Sequence, residues 1–231
     1  MRFLRLLVPI TFFIICVVFL VMLTPKFGLH TFKDDFNNSI KPNWLPKTPE
    51  KWKLTRDGKK IFYQLKEPGG PVEGISRPSE YSLVGNLVYN DFTMECKVRC
   101  DAHENLRYRD AVFIFGFQDD KHFYYVHLSN ISDDLHNAIM LVNGEYRKKL
   151  NEENPEPTLT DRDFHKVKIK RKSSTGNTEV YFDGKMIMQM QDKTFISGKV
   201  GIGSFDDTAS FDDFKVIGKL VDDKSEKEEQ N

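Results

Sequence analysis

Net charge is the first thing this sequence lacks. Its 34 Lys and Arg residues are balanced by 34 Asp and Glu residues, so no global field draws the chain toward nucleic acid, and no nucleic-acid partner is expected. Cysteine is scarce as well. There are three in 231 residues, and no CxxC pair among them, which excludes the common thiolate metal and redox motifs. Cys96 and Cys100 lie four apart in FTMECKVRC. In a strand that spacing separates their Cα atoms by about 13 Å, beyond the reach of a disulfide, so both read as small core residues. Outside the first thirty residues no segment of ten or more carries a helical stripe, which argues against helical and α/β folds.

What the chain does have is aromatic surface, 19 Phe and 8 Tyr, a composition that suits pleated sheets. Hydrophobicity recurs with period two in KIFYQL, FTMECKVRC, AVFIFGF, HFYYVHL, NAIMLVNGEYRKKL, HKVKIKRK, TEVYFDGKMIMQM, KVGIGSF and FDDFKVIG. Asn143-Gly144 and Asp183-Gly184 tolerate the positive φ of two-residue hairpins, and Gln118-Asp119-Asp120 parts two aromatic runs at hairpin distance. About ten short strands with such punctuation predict an all-β, two-sheet antiparallel sandwich or jelly roll. In HKVKIKRK, Lys166, Lys168 and Lys170 oppose Val167 and Ile169. That pattern predicts an exposed edge or outer face guarded by lysines, in preference to a polyanion-binding stripe.

The ends of the chain read differently. Residues 6–23 form the uncharged run LLVPITFFIICVVFLVML behind Arg2 and Arg5, near the length of a membrane-crossing helix and with charges that keep the amino terminus in the cytoplasm. The following TPKFGLH has no small-residue cleavage site. These features predict a single-pass signal anchor over 1–25, a linker over 26–30, a folded domain over 31–220 outside the cytoplasm, and a disordered charged tail over 221–231. A cleaved, secreted form is the alternative.

The order of motifs is informative beyond its periodicity. FKDDF leads through DGKKIFYQL, EYSLVGNLVYNDFTMECKVR, FGFQDDKHFYYVHLS, DFHKVKIKR and VYFDGK to GKVGIGSFDDTASFDDFKV. This series resembles the concanavalin A-like lectin and glucanase superfamily, in its laminin G-like and glycan-module branch, over nearly all of residues 31–218. The resemblance implies a jelly roll whose concave sheet holds a glycan and a calcium ion that ties the chain ends together. Asp212 and Asp213, with Asp34 and Asp35 of FKDDF, are the calcium candidates it implies. The Glu-x-Asp-x-x-Glu arrangement of the superfamily's laminarinase-type glucanases is absent from the sequence, which argues against a retaining glucanase of that type.

In HFYYVHL, Tyr125 and His127 share one face of a strand. With Arg77 and Glu80 of RPSEY and with Arg107, Arg109 and Asp110 of ENLRYRDA, they supply the ring and hydrogen-bonding groups that a glycan cleft uses. The leading expectation is a membrane-anchored domain that binds an oligosaccharide or polysaccharide without chemistry. An enzyme, a glycoside hydrolase or polysaccharide lyase, would use the same face with His127, Tyr125 and Glu80 as acid and base. A protein-interaction module of laminin G type would use the loops at the rim. Asp206 and Asp207, between two strand patterns, read as turn formers.

Overall fold

A computed structural model describes residues 28–38, 43–70 and 72–221. The predicted anchor and most of the charged tail lie outside the described residues, and no helix among the described residues is long and apolar enough to cross a membrane. Fifteen strands follow in order: β1 (His30–Asp34), β2 (Trp44–Pro46), β3 (Trp52–Asp57), β4 (Lys60–Leu65), β5 (Glu80–Val84), β6 (Tyr89–Cys100), β7 (Asp110–Asp119), β8 (His122–Ser129), β9 (Ala138–Asn143), β10 (Lys148–Lys149), β11 (His165–Lys172), β12 (Asn177–Phe182), β13 (Lys185–Gln191), β14 (Lys199–Ser204) and β15 (Ala209–Leu220). A single 3₁₀ turn, Pro49–Lys51, interrupts them among the described residues.

The strands form two antiparallel sheets. One runs β13-β12-β11-β6-β15-β4-β3 with β1 added beside β15, and the other runs β10-β9-β8-β7-β14-β5-β2. The alternation seen in the sequence decides which side chains fill the space between them. Met94, Cys96 and Val98 of β6 meet Phe113 and Phe115 of β7 and Val126 and Leu128 of β8 in the main core. Cys96 and Cys100 are buried free thiols in that core, and burial raises both thiol pKa values, Cys100 to about 12. Asp183 and Gly184 both take positive φ, 48° and 85°, and close the β12–β13 hairpin as their dipeptide predicts.

Strand β11 departs from the edge half of its expectation. It lies inside its sheet between β6 and β12, and its lysines stand on the outward face, where Lys168 meets Glu95 at 2.8 Å and Lys170 meets Glu179 at 3.6 Å. The strands that the period-two pattern does not reveal are the short or evenly buried ones. All five residues of β5 are buried, so no polar alternation marks it.

The parity that fills the main core also sets what the other side of the seven-stranded sheet displays. Val112 and Ile114 of β7, Phe123 and Tyr125 of β8, and Met140 and Val142 of β9 form a second apolar cluster there, with Ile75 and Phe205 packed against it. Gly201 and Gly203 put no side chain on this face, because a Cβ at Gly203 would lie 2.3 Å from the Glu80 carbonyl oxygen of β5. This outer face, sealed along its middle and polar at one end, positions the site described below.

His165 offers a test of the packing at the start of β11. Its ring stacks on Phe182 and bonds Asp183 at 2.7 Å and Asp161 at 2.8 Å. Burial works against its charged form, yet the two carboxylates outweigh it and raise its pKa above the usual histidine value. A raised histidine pKa gives stability that is present below the ordinary value and is lost as pH rises through the folded one. In thermal melts the His165→Gln variant is therefore expected to fall further below the parent at pH 5 than at pH 9.

Candidate functional site

Asp110 opens β7 on the same parity as Val112 and Ile114, so its carboxyl belongs to the outer face. Antiparallel register sets Val112 opposite His127, which brings the imidazole to the same end. Asp110 then reaches across to the β14–β15 turn. Its Oδ1 accepts from Ser204 Oγ at 2.7 Å and from the Phe205 amide at 2.8 Å, while its own amide donates to Asp207 Oδ2 at 2.8 Å. The Asp207 amide donates to Ser204 Oγ at 2.8 Å. A turn formed by Asp206 and Asp207 is thus tied to the start of β7, and three carboxylates gather, with one oxygen from each within 4.8 Å of the others.

The clamp also lays Phe205 over His127, with ring centroids 5.5 Å apart and planes 20° apart. A ladder of flat groups continues in both directions. On one side the Arg147 guanidinium lies 4.5 Å from the Phe205 centroid. On the other, His136 lies 5.1 Å from His127, Tyr108 stacks on His136 at 4.9 Å, and Arg107 covers Tyr108 at 4.8 Å. Each such contact contributes roughly 0.5–1.5 kcal/mol beyond area burial, enough together to hold the exposed Tyr108 in a left-handed backbone with φ 70°.

His127 is 1% exposed. Its Nδ1 stands 2.7 Å from the Leu135 carbonyl oxygen, which only accepts, so Nδ1 carries the proton. Nε2 faces Asp110 Oδ2 at 3.8 Å, longer than a hydrogen bond, and has no hydrogen-bond partner. Burial raises the carboxyl pKa of Asp206 to about 6 and of Asp207 to about 7, and the Asp110 charge adds to both. For Asp110 itself the effect of burial is outweighed by His127 and by the Phe205 and Ser204 hydrogen bonds, and its pKa falls.

The sequence-derived candidates divide by parity. Tyr125, His127 and Asp110 come together on the outer face, although Tyr125 is buried and its hydroxyl accepts from Arg147 at 3.0 Å. Arg77 lines one cavity with Phe205 and Asp206 and lies 3.5 Å from Asp120, which also accepts from the Tyr81 hydroxyl. Arg107 sits at the exposed end of the ladder. Glu80 and Arg109 point the other way. Glu80 accepts from Lys51 at 2.9 Å and from Thr48 at 3.0 Å, and Arg109, fully buried, donates to the carbonyl oxygens of Leu159, Cys100 and Asp161. Neighbouring residues in a strand project to opposite faces, so Arg109 cannot accompany Asp110, nor Glu80 join His127 as an acid–base pair.

The calcium candidates are placed on β15 and at the end of β1, in the other sheet. Asp34, Asp35 and Asp213 line one cavity of about 400 Å³ beside the β1–β15 pairing. Asp34 accepts from Trp44 Nε1 and from the Phe36 amide, and Asp213 pairs with Lys97 at 2.6 Å. Among the described residues the carboxylates close enough to share an ion are Asp110, Asp206 and Asp207, not this set. Asp206, Asp207, His136 and Arg147 are the site residues that sequence reasoning missed. The one signal was the repeated Phe-Asp-Asp, and turn chemistry accounted for its first copy without exhausting it.

No family model and no curated protein matches this sequence, whereas solved structures do. The carbohydrate-binding module CBM66 from Bacillus subtilis superposes with a TM-score of 0.56 at 15% identity, over 75% of this chain and 94% of that one. Winged bean acidic lectin, solved with methyl-α-D-galactose, gives 0.55 at 10% identity over 84% of this chain and 100% of that one. The chain has the concanavalin A-like jelly-roll fold. The GH43 protein BlXynB from Bacillus licheniformis contains the same architecture, with a TM-score of 0.56 at 14% identity over 80% of this chain, but the match covers only 39% of that protein. At these identities the likeness establishes the fold, and function rests on the site.

A carboxyl whose folded pKa is raised favours the protonated protein, so its contribution to stability is present below the usual value near 4 and is lost as pH rises through about 6 to 7. In chelator-treated protein, Asp207→Asn is expected to raise the melting temperature at pH 8 and to flatten its fall between pH 4 and pH 8. Lower stability of the variant at pH 8 would contradict the crowding of these carboxylates.

Proposed function

We propose that the domain binds a carbohydrate at the polar end of the outer face. The observation that carries this reading is the ladder of flat groups, which runs from Arg107 on the partly exposed Tyr108 ring through His136, His127 and Phe205 to Arg147, with the Asp110–Asp206–Asp207 carboxylates beside His127. The exposed part of the Tyr108 ring, flanked by Arg107 and His136, offers a sugar apolar contact, and neighbouring carboxylate and guanidinium groups bond hydroxyls. Tyr146, 65% exposed, adds a second ring next to Arg147. Buried Tyr125 supports Arg147 from below. The sugar-binding fold neighbours agree with this reading, and a glycan ligand in turn suits a domain carried outside the cytoplasm by the N-terminal anchor.

One observation favours a second reading, hydrolysis of the bound glycan. Two carboxyls held up to about 6 and 7 beside an ionised third form the acid-and-base division that glycosidases use. The face gives no comparable support to a lyase built on Tyr125 and Glu80, since one is buried beneath Arg147 and the other lies on the opposite side of the sheet.

A single panel separates these possibilities. Retention on immobilised oligosaccharides is expected for the parent, and about tenfold weaker retention for Tyr108→Asn, which removes the ring but tolerates positive φ, with a melting temperature close to the parent's. New reducing ends that disappear in Asp207→Asn would establish hydrolysis. No retention and no products across the panel would defeat both readings and leave the rim loops as a protein-binding surface.

A further inference from the structure

We propose that Asp110, Asp206, Asp207 and His127 form a binding site for a divalent first-row transition ion such as Mn²⁺ or Zn²⁺. Two observations meet here. The three carboxylates offer oxygens within 4.8 Å of one another, and the buried His127 sets an Nε2 without a hydrogen-bond partner 3.8 Å from Oδ2 of one of them, Asp110. Metal–ligand bonds of about 2.1 Å hold two ligands of one ion roughly 3 to 4 Å apart, so Nε2 and Oδ2 are spaced as neighbours around one ion.

The remaining bonds leave the right atoms for this role. Asp110 Oδ1 is engaged by Ser204 and Phe205, and Asp207 Oδ2 by the Asp110 amide, so each of the two carboxylates keeps its other oxygen outside these bonds. Asp206 is exposed and opens the site to solvent on the side of a cavity of about 320 Å³ lined by Arg77, Ser79 and Phe205. The Nδ1 proton of His127 is held by the Leu135 carbonyl, the arrangement that orients a metal-binding imidazole and presents its other nitrogen as the donor.

The donor set selects the ion. Carboxylate oxygens alone would suit calcium, but an imidazole nitrogen shifts preference to first-row transition ions. Three carboxylates gathered in a half-buried place also need positive charge, and Arg147 lies near Asp206 but bonds Tyr125 instead. A dication supplies that charge while leaving coordination positions toward Asp206 for water or a ligand hydroxyl. The site does not depend on glycan binding, and it differs from the chain-end calcium expected of Asp34, Asp35, Asp212 and Asp213.

The test is titration of full-length, EDTA-stripped protein with Mn²⁺ at neutral pH, followed by electron paramagnetic resonance. Saturation at about one ion per chain is expected, with a nitrogen coupling in the pulsed spectrum. Asp206→Asn combined with Asp207→Asn should weaken binding at least tenfold, and His127→Gln should remove the nitrogen coupling. Because His127 is packed between rings, the double Asn variant, altered near the surface, keeps the test decisive if His127→Gln misfolds. Absence of saturable binding by folded parent protein, unchanged affinity in the double variant, or calcium displacing Mn²⁺ at equal concentration with no nitrogen coupling would each overturn the proposal. Glycan retention measured on the same samples keeps the two readings apart: an ion without retention defeats only the carbohydrate reading, and retention without an ion defeats only this one.

Discussion

The reciprocal bonding between Asp110 and the β14–β15 turn is the constraint on which the site depends. Two bonds run into the Asp110 carboxylate, from Ser204 and Phe205, and one runs from the Asp110 amide into Asp207. Hydrogen bonds to a charged acceptor contribute about 1.5–3 kcal/mol each where they are buried, and Asp110 is 1% exposed. Together with the Ser79 amide and hydroxyl, which donate to the Phe205 carbonyl oxygen, they hold Phe205 over His127, and without Phe205 the ladder from Tyr108 to Arg147 loses its middle rung. The same bonds draw Asp206 and Asp207 toward a third carboxylate, and burial together with this crowding raises two of the three pKa values.

The sandwich supplies the platform for this constraint. The sheet behind the site is apolar on both faces, one facing the main core and the other packed with Ile75 and Phe205. An apolar sheet has no polar chemistry of its own to offer along its middle, so function is confined to the end where β7 and β8 exchange their last pairs with the β14–β15 turn. Tyr125 illustrates the division. It shares a face with His127, yet it is sealed, and burial raises its phenol pKa above the usual value.

Much of this was legible in the sequence, and for definite reasons. Period-two alternation in FTMECKVRC and HFYYVHL mapped onto β6 and β8 because each strand separates a core face from a different environment. Asp183-Gly184 predicted its hairpin because the turn demands positive φ at both residues. Strand β5 was hidden, since both of its faces are buried and EYSLV carries no alternation to read. Parity alone separates Arg109 from Asp110, adjacent residues that must diverge on a strand. That separation was accessible from the sequence, whereas the pairing of Asp110 with Asp207, 97 positions away, was not. Asp206 and Asp207 serve the turn and the cluster with the same atoms, so a local explanation for them was sufficient and incomplete.

Amide hydrogen exchange in an Asp110→Ala variant addresses the organising role of Asp110 most directly, read residue by residue against the parent. Loss of protection confined to the Phe205 and Asp207 amides, with Val112 and Ile114 still protected in the sheet, is the result this account predicts. Unchanged protection at Phe205 would contradict it, because the turn would then be held by something other than the Asp110 carboxylate.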